Sequence, residues 1–286
     1  MTSQMTTTPV PTVQLRGKDG PVPMPQLGFG VWKVPNEEAT PAVAAALRAG
    51  YRSIDTAALY ANEAGVGRAL ADSDIPSAEI FLTTKVWNDK QGYDATLAAF
   101  DESIGKLGDV EPLDLYLIHW PAPQQDQFVD SFKALLHLRD EGRIRAAGVA
   151  NFRVADLQRL HDELGEYPAL NQIELHPMLA QRELREFHAQ HDIATEAWSP
   201  LGQGGELLED ATIGAIADRY ARTPAQVVLR WHLQLGNVVI PKSVTPARIV
   251  SNFDVFGFEL DDLAMTAIAA LDQGKRLGPD PSQFPG

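Results

Sequence analysis

The most constraining feature of this 286-residue sequence is an eightfold alternation of short apolar segments with longer amphipathic ones. The short segments are rich in β-branched and aromatic residues, as strands are, and the longer ones repeat apolar residues at helical spacing. The predicted strands are 26–31, 51–55, 80–86, 113–119, 144–150, 169–175, 193–198 and 237–240. Eight strand–helix pairs are typical of a (β/α)8 TIM barrel, an α/β fold.

Helix boundaries are marked by residues that favour the first or last turn. Thr-Pro pairs at Thr40, Thr223 and Thr245 place a hydroxyl before a proline, while Gly50 and Gly236 stand where helices end. Extra helices are expected near the C-terminus. The helices after the eight strands are predicted to begin at or near Thr40, Asn62, Tyr93, Asp126, Val154, Gln181, Asp210 and Pro246.

A short β-hairpin is predicted before the first barrel strand. Its strands, Thr12 to Leu15 and Val22 to Met24, flank the turn residues Lys18-Asp19-Gly20. The Thr- and Pro-rich residues 1–9 are expected to be disordered. A doubly wound sheet is the alternative architecture, but eight strands without a linker between halves favour a single barrel domain over residues 1–286.

The composition limits the function classes. The sequence has 24 Lys and Arg residues against 38 Asp and Glu, and this formal net charge of −14 disfavours nucleic-acid binding. It has no cysteine, which excludes disulfides, thiolate metal sites and a cysteine nucleophile. No apolar run approaches the ~18 residues of a membrane span. We expect a cytoplasmic monomer that binds neither membrane nor metal.

Several nucleotide and hydrolase motifs are missing. The segment Gly65 to Leu70 approaches the dinucleotide fingerprint, but it ends in leucine and lies within a helical pattern. No P-loop, GxSxG or HExxH motif occurs. P-loop NTPases, serine hydrolases and common zinc enzymes are therefore disfavoured.

Ionisable residues end three neighbouring strands. Asp55, Lys85 and His119 lie at the ends of the second, third and fourth strands, and the C-terminal ends of barrel strands meet at one face. Each residue alone could cap a loop, extend to solvent or sit at the rim. Three together are more consistent with an active site, since burying unpaired charges is costly.

Tyr60 follows Asp55 closely and is a candidate general acid. A lysine beside a tyrosine favours the phenolate, so we expect the pKa of Tyr60 to fall from its usual ~10. A carboxylate on that lysine would keep the lysine charged and oriented.

Eight segments resemble, in order and over nearly the whole chain, those of the aldo-keto reductase family. They are GFGVW, GYRSIDTAALYANE, FLTTKVW, LDLYLIHWP, GVANF, NQIELHP, WSPLGQG and IPKSVTPARIVSNF. The short stretch from Trp120 to about Gln127 is similar to bacterial 2,5-diketo-D-gluconate reductase-like members. The resemblance implies NADPH-dependent reduction of small aldehydes and ketones, α-dicarbonyls or keto-sugars, on a barrel without a Rossmann domain.

The resemblance also implies the catalytic roles. Tyr60 would protonate the carbonyl oxygen while hydride reaches the carbon. Lys85 and Asp55 would lower the pKa of Tyr60, and His119 would orient the substrate oxygen.

The nicotinamide and pyrophosphate positions follow from the same resemblance. Asn151 and Gln172 would hydrogen-bond the carboxamide, and Trp198 would stack on the ring. Ala150 stands where the family often has serine, so nicotinamide positioning is expected to be weaker. The residues that would hold the pyrophosphate are Ser199, Leu201, Gly202 and Gln203.

A basic cluster follows the last strand. Lys242 and Arg248 lie around the start of the helix at Thr245-Pro246, and a helix N-terminus with two cations favours anions. By resemblance it binds the adenosine 2′-phosphate and the adenine, which favours NADPH over NADH. Ser251 replaces an acidic or amide residue frequent in the family. The remaining residues assigned to this cluster are Ser243, Val244 and Asn252.

Trp32, Trp87 and Trp120 each stand at a strand end and are assigned to the substrate pocket, with packing as the alternative. Two other functions stay open. One is a glycoside hydrolase that uses Glu174 and Glu196, which also end strands. The other is a cofactor-binding regulatory barrel with little turnover.

Overall fold

The computed structural model describes residues 10–108 and 110–284, and in them the predicted (β/α)8 barrel is confirmed. Eight parallel strands pair in chain order. The expectation for residues 1–9 lies outside the described residues. The barrel strands are β3 (Phe29–Gly30), β4 (Ser53–Asp55), β5 (Phe81–Val86), β6 (Leu113–Ile118), β7 (Ile144–Ala150), β8 (Leu170–Glu174), β9 (Ala194–Trp198) and β10 (Val238–Val239).

Backbone hydrogen bonds between the first and last strands close the ring. Gly28 N donates to Val239 O and Val239 N donates to Gln26 O, both at 2.8 Å. The strand ends therefore converge on one face, where loops can hold a site.

The predicted hairpin forms and covers the opposite end of the barrel. Its strands are β1 (Thr12–Arg16) and β2 (Pro21–Pro25), paired antiparallel with Leu15 opposite Val22. Leu15, Val22 and Met24 pack with apolar residues of the barrel interior, so this end is dry and apolar. The polar residues of the interior lie toward the other end.

Helices surround the sheet and bury its outer face in a second, larger apolar cluster. Among the described residues no helix is long and apolar enough to cross a membrane. The helices are α1 (Asn36–Ala49), α2 (Glu63–Ala71), α3 (Tyr93–Leu107), α4 (Phe128–Asp140), α5 (Val154–Leu164), α6 (Arg182–Gln190), α7 (Glu206–Glu209), α8 (Ala211–Tyr220), α9 (Pro224–Gln234), α10 (Pro246–Phe253) and α11 (Asp262–Ala269).

Two predicted helix starts differ in detail. The prediction for α1 was wrong by a turn: it begins at Asn36, Pro41 lies inside it, and Thr40 Oγ1 donates to Gly65 O at 2.8 Å instead of capping. Acidic residues of the first turn favour this earlier start. Asn62 precedes α2, but its amide donates to the Val31 and Val34 carbonyls of another loop.

The Thr-Pro pairs near the end of the chain behave differently from each other. Thr223 caps α9 and forms a capping box with Gln226. Thr245 occupies the N-cap position of α10, but its side chain makes no capping bond with the described residues, and its N–H donates to Ser243 Oγ at 3.1 Å.

The glycines of the Gly65 to Leu70 segment have a packing function. A Cβ at Gly65 would overlap the Asn36 carbonyl of α1, and one at Gly67 would overlap the backbone of Leu107 in α3. These glycines let three helices approach closely, which explains the resemblance to a nucleotide motif.

Candidate active site

A long cleft of about 1030 Å³ opens at the C-terminal ends of the strands. One end is aromatic and includes Trp87 and Trp120, and the other reaches α10 at Arg248. Its middle is formed by strand-end residues of the barrel interior. The cleft thus joins the predicted substrate residues to the predicted cofactor residues.

A buried ion pair lies under the middle of the cleft. Lys85 Nζ donates to Asp55 Oδ1 and Oδ2 at 2.7 and 2.8 Å, and to the Thr56 carbonyl at 2.8 Å. Lys85 has no exposed surface. Burial alone would lower the pKa of Lys85, but Asp55 and Tyr60 more than compensate, so its pKa is raised. Lys85 is therefore a fixed cation.

Tyr60 lies in a short 3-10 helix (Ala58–Tyr60) after β4 and lines the cleft. Lys85 Nζ is 5.3 Å from its ring centroid. The prediction of a lowered pKa was wrong in direction: burial raises the pKa of Tyr60 to about 12, outweighing Lys85. Tyr60 keeps its proton at ordinary pH.

His119 packs edge-on against Tyr60, with ring centroids 5.6 Å apart, and against Trp87 at 5.0 Å. Burial, and then the charge of Lys85, hold the pKa of His119 well below its usual value. The ring is therefore neutral and can donate one N–H bond or accept one. Its Nδ1 is buried without a partner among the described residues.

The three residues predicted to bind the nicotinamide line the cleft side by side. Trp198 Nε1 donates to Asn151 Oδ1 at 2.8 Å, and Asn151 Nδ2 donates to His119 O at 3.0 Å. Gln172 Nε2 donates to Asp55 Oδ2 at 2.8 Å. The indole and the Asn151 amide thus form one hydrogen-bonded group, and the Gln172 amide is joined to the ion pair.

Most of the predicted pyrophosphate residues line the cleft in the loop after β9. Ser199, Leu201 and Gln203 reach it, and Ser199 and Gln203 adopt positive φ angles of 48° and 58°. Gly202 is not among the lining residues. A Cβ there would contact Leu207 at 3.1 Å, so Gly202 forms the turn that packs this loop on α7.

The basic cluster occupies the far end of the cleft. Lys242, Val244, Thr245 and Arg248 are exposed there, and Ser243 is buried beside them. Neither cation forms an ion pair with any residue in 10–108 or 110–284. In a chain with excess negative charge, two unpaired cations at a helix start favour an anion. Asn252 also lines this end.

The aromatic end contains the three predicted tryptophans and one residue that the sequence did not indicate. Trp120 is buried, whereas Trp32 is 39% exposed. Phe284 packs on Trp120, with centroids 4.5 Å apart, and on Trp87 at 6.2 Å. The wall is therefore shared between strand ends and the C-terminal segment.

The C-terminal segment (residues 275–284) is held over the cleft by Glu174. Leu277 N and Gly278 N donate to the Glu174 carboxylate at 2.6 and 2.9 Å, and His176 Nε2 hydrogen-bonds it at 3.0 Å. Burial opposes ionisation, but these donors lower the pKa of Glu174 overall. No periodicity marks the segment, so sequence reasoning missed its cleft residues Leu277, Gly278, Pro279 and Phe284.

Glu174 and Glu196 do not form a pair of cleft carboxylates. Both are fully buried and neither lines the cleft. Glu174 is enclosed by the C-terminal segment, and Glu196 accepts from Gln172 inside the barrel. The glycosidase alternative was wrong, because a general acid and base must reach the substrate.

Comparisons with known proteins identify the family. Residues 26–273 match the Aldo/keto reductase family. The chain is 62% identical over 261 residues to an aldo-keto reductase of Mycolicibacterium smegmatis, covering 91% of this chain and 94% of the relative. It is 54% identical over 277 residues to the methylglyoxal reductase DkgA of Salmonella typhimurium, covering 96% and 99%.

A solved structure extends this similarity to the fold. A mutant of Gox0644 in complex with NADPH superposes with a TM-score of 0.90 at 52% identity, covering 96% of this chain and 98% of that one. Family match, sequence identity and fold agree over almost the whole length. The chain belongs to the aldo/keto reductase family.

Proposed function

We propose that this protein reduces small aldehydes and ketones with NADPH as the hydride donor, using Tyr60 as the general acid. The observation that carries the proposal is the buried Lys85–Asp55 pair beside Tyr60, at the middle of a cleft whose far end has Lys242 and Arg248, neither of them in an ion pair with a described residue. A proton donor and an anion site in one cleft are what a reductase with a phosphorylated dinucleotide requires.

The residues present fit this cofactor. Lys242, Arg248 and the start of α10 would hold the 2′-phosphate, and the loop from Ser199 would follow the pyrophosphate. Asn151, Gln172 and Trp198 would bind the nicotinamide. Asn151 Oδ1 accepts one bond from Trp198 and Nδ2 donates one to the His119 carbonyl, which leaves the second N–H of Nδ2 and the second lone pair of Oδ1 for a ligand.

The catalytic groups divide the work. Bound NADPH supplies the hydride. Tyr60 carries the proton that the carbonyl oxygen takes up, and its high pKa keeps that proton in place until the oxygen becomes basic. Lys85 stabilises the developing phenolate because its own charge is fixed by Asp55. His119, held neutral, orients the substrate oxygen by a hydrogen bond.

The aromatic end favours compact carbonyl substrates. Trp32, Trp87, Trp120 and Phe284 offer apolar walls, and Phe284 narrows the space between two of them. Methylglyoxal-like α-dicarbonyls and keto-sugars are small enough for such a pocket and place a carbonyl next to a polar group. The name of the relative DkgA, a methylglyoxal reductase, supports α-dicarbonyls as the substrates to test first.

A substrate panel followed by NADPH absorbance tests the proposal. We expect turnover of α-dicarbonyls, aldehydes or keto-sugars with NADPH, slower turnover with NADH and no release of chromophore from aryl glycosides. NADPH binding without turnover of any carbonyl would favour the regulatory alternative. Absence of binding would overturn the proposal.

A further inference from the structure

Glu196 is a second carboxyl group inside the barrel, next to the catalytic ion pair but without a cation of its own. It has no exposed surface and forms no ion pair with any residue that the structure describes. Its Oε2 accepts from Gln172 Nε2 at 2.7 Å, and its Oε1 is buried with no partner in 10–108 or 110–284. Nothing in the mechanism above uses it.

The hydrogen bonds of Gln172 connect this group to the cleft. A side-chain amide nitrogen has two hydrogens, and Gln172 Nε2 donates one to Asp55 and the other to Glu196. Both carboxyl groups need donors, so the amide is held with its oxygen directed away from them. Gln172 Oε1 accepts no hydrogen bond from the described residues, which leaves it available to a ligand in the cleft.

The charges around Glu196 come from two sides. Asp55 on β4 and Lys85 on β5 face it, and Tyr60 lies beyond them. Its partners on β8 and β10 are Gln172 and Val238, which carry no charge. Lys85 is already engaged by both oxygens of Asp55. An ionised Glu196 would therefore add an uncompensated negative charge to a dry interior.

We propose that Glu196 is a positioning residue that is held as a neutral acid, orients the Gln172 amide toward the cofactor and, when ionised, shifts binding toward the oxidised cofactor. Because the positive charge of NADP⁺ is on the nicotinamide, a negative charge beneath that end favours NADP⁺ over NADPH. The claim that Glu196 affects cofactor binding rests on the proposed function. The claim that Glu196 is held as a neutral acid does not.

Burial, and then repulsion by Asp55, raise the pKa of Glu196 to about 8 from an ordinary value of 4.5. A group whose folded pKa is raised binds a proton that the unfolded chain lacks. Stability therefore falls as pH rises between those two values and is level above them. The shift in preference from NADPH to NADP⁺ follows the ionisation of Glu196 in the folded protein, so it should be centred near pH 8.

Thermal unfolding of the protein without cofactor tests the protonation state. Glu196→Gln keeps an acceptor for Gln172 and removes the ionisation. We expect the Tm of this variant relative to wild type to increase by roughly 3–10 °C between about pH 5 and about pH 8.5. A difference that does not change with pH would overturn the proposal. Glu196→Met serves the same comparison if the first variant does not fold.

Glu174→Gln is a matched control, since Glu174 is another fully buried glutamate on the neighbouring strand. Its lowered pKa means that it is ionised in the folded and unfolded protein across this pH window. The Tm difference between this variant and wild type should therefore stay constant over the same pH range. A pH-dependent difference equal to that of Glu196→Gln would remove the assignment to Glu196.

Titration of NADP⁺ and NADPH by tryptophan fluorescence tests the positioning role. In wild type, the ratio of the two dissociation constants should shift about three- to tenfold toward NADP⁺ between about pH 6.5 and about pH 9. Glu196→Gln should show no such shift. A constant ratio in wild type would overturn the positioning role. Failure of wild type to bind either cofactor would instead overturn the proposed function and leave the unfolding result intact.

Discussion

At the scale of single residues, a few side chains at the centre of the site each make several hydrogen bonds. Lys85 donates three bonds, two to Asp55 and one to Thr56, and also contacts Tyr60. Asp55 in turn accepts from Gln172. Because Lys85, Asp55 and Gln172 are each held by more than one hydrogen bond, the position of each follows from its neighbours.

Tyr60→Phe tests the proton donor. Without the hydroxyl, carbonyl reduction should fall by about 10²- to 10⁴-fold in kcat, with NADPH affinity nearly unchanged, because the hydroxyl acts in the chemical step. Steady-state kinetics with an aldehyde and fluorescence titration of NADPH measure the two. Tyr93→Phe, at the start of α3 and outside the cleft, is the matched control and should retain wild-type kcat. A Tyr60→Phe enzyme as fast as wild type would exclude Tyr60 as the donor.

Lys242→Ala and Arg248→Ala test the anion end. Each should weaken NADPH binding by roughly ten- to a hundredfold and NADH binding much less, because only NADPH carries the 2′-phosphate. The preference should shrink as salt rises, since both cations are exposed and screened. Lys133→Ala, a cation outside the cleft, should change neither affinity. Equal losses for both cofactors would contradict a phosphate site.

At the scale of elements, the C-terminal segment completes a site that the barrel strands only begin. It has no regular secondary structure near the cleft, and Glu174 of β8 holds it through two backbone N–H groups. This places Phe284 against two tryptophans that end other strands. The aromatic end is therefore set by a contact between β8 and a segment about a hundred residues later in the chain.

Gly278→Ala tests that arrangement. A Cβ at Gly278 would overlap the Trp198 ring and come within 3.1 Å of Glu174 Oε2, so the segment must shift. We expect KM for the carbonyl substrate to rise several-fold with a smaller change in kcat, and stability to fall by about 1–3 kcal/mol, as in other overpacked sites.

Gly105→Ala is the control for that variant. Gly105 lies in α3, its Cβ would meet nothing within 4 Å, and alanine favours a helix over glycine by about 0.5–1 kcal/mol. It should be slightly more stable than wild type with unchanged kinetics. Unaltered KM in Gly278→Ala would mean that the segment does not bound the substrate.

At the scale of the whole molecule, one closed sheet carries two apolar clusters. The hairpin seals one end of its interior, and the helices cover its outer face. The ionisable interior residues Asp55, Lys85 and Glu196 lie toward the other end, where the cleft opens. Since every strand contributes to the same interior, we expect the strands to unfold together.

We predict that the protein is a monomer with a single domain that unfolds cooperatively. Calorimetry should show one transition, with a Tm that does not change when protein concentration is raised tenfold, because a monomer has no association step to stabilise it. Two resolved transitions would contradict a single domain. A Tm that increases with concentration would contradict a monomer.

Local rules in the sequence were sufficient for the barrel and for much of the site. The alternation of short apolar segments with longer amphipathic ones predicted eight strand–helix pairs. The positions of Asp55, Lys85 and His119 at strand ends predicted that their side chains lie at the same face of the barrel. Both inferences depend on geometry that repeats along the chain, so neighbouring residues carry the information. The resemblance then extended the site to residues whose types alone are not diagnostic.

Only the tertiary structure decided the properties that depend on burial and on distant contacts. Proximity to Lys85 suggested a lower pKa for Tyr60, but the degree of burial, which no local pattern encodes, raises it. The bond from Gln172 to Asp55 joins residues 117 positions apart, and it is what links Glu196 to the site. The segment held by Glu174 has no periodicity to reveal it. Folding decides which side chains are buried away from water. It also decides which groups, distant in sequence, form hydrogen bonds with them in place of water.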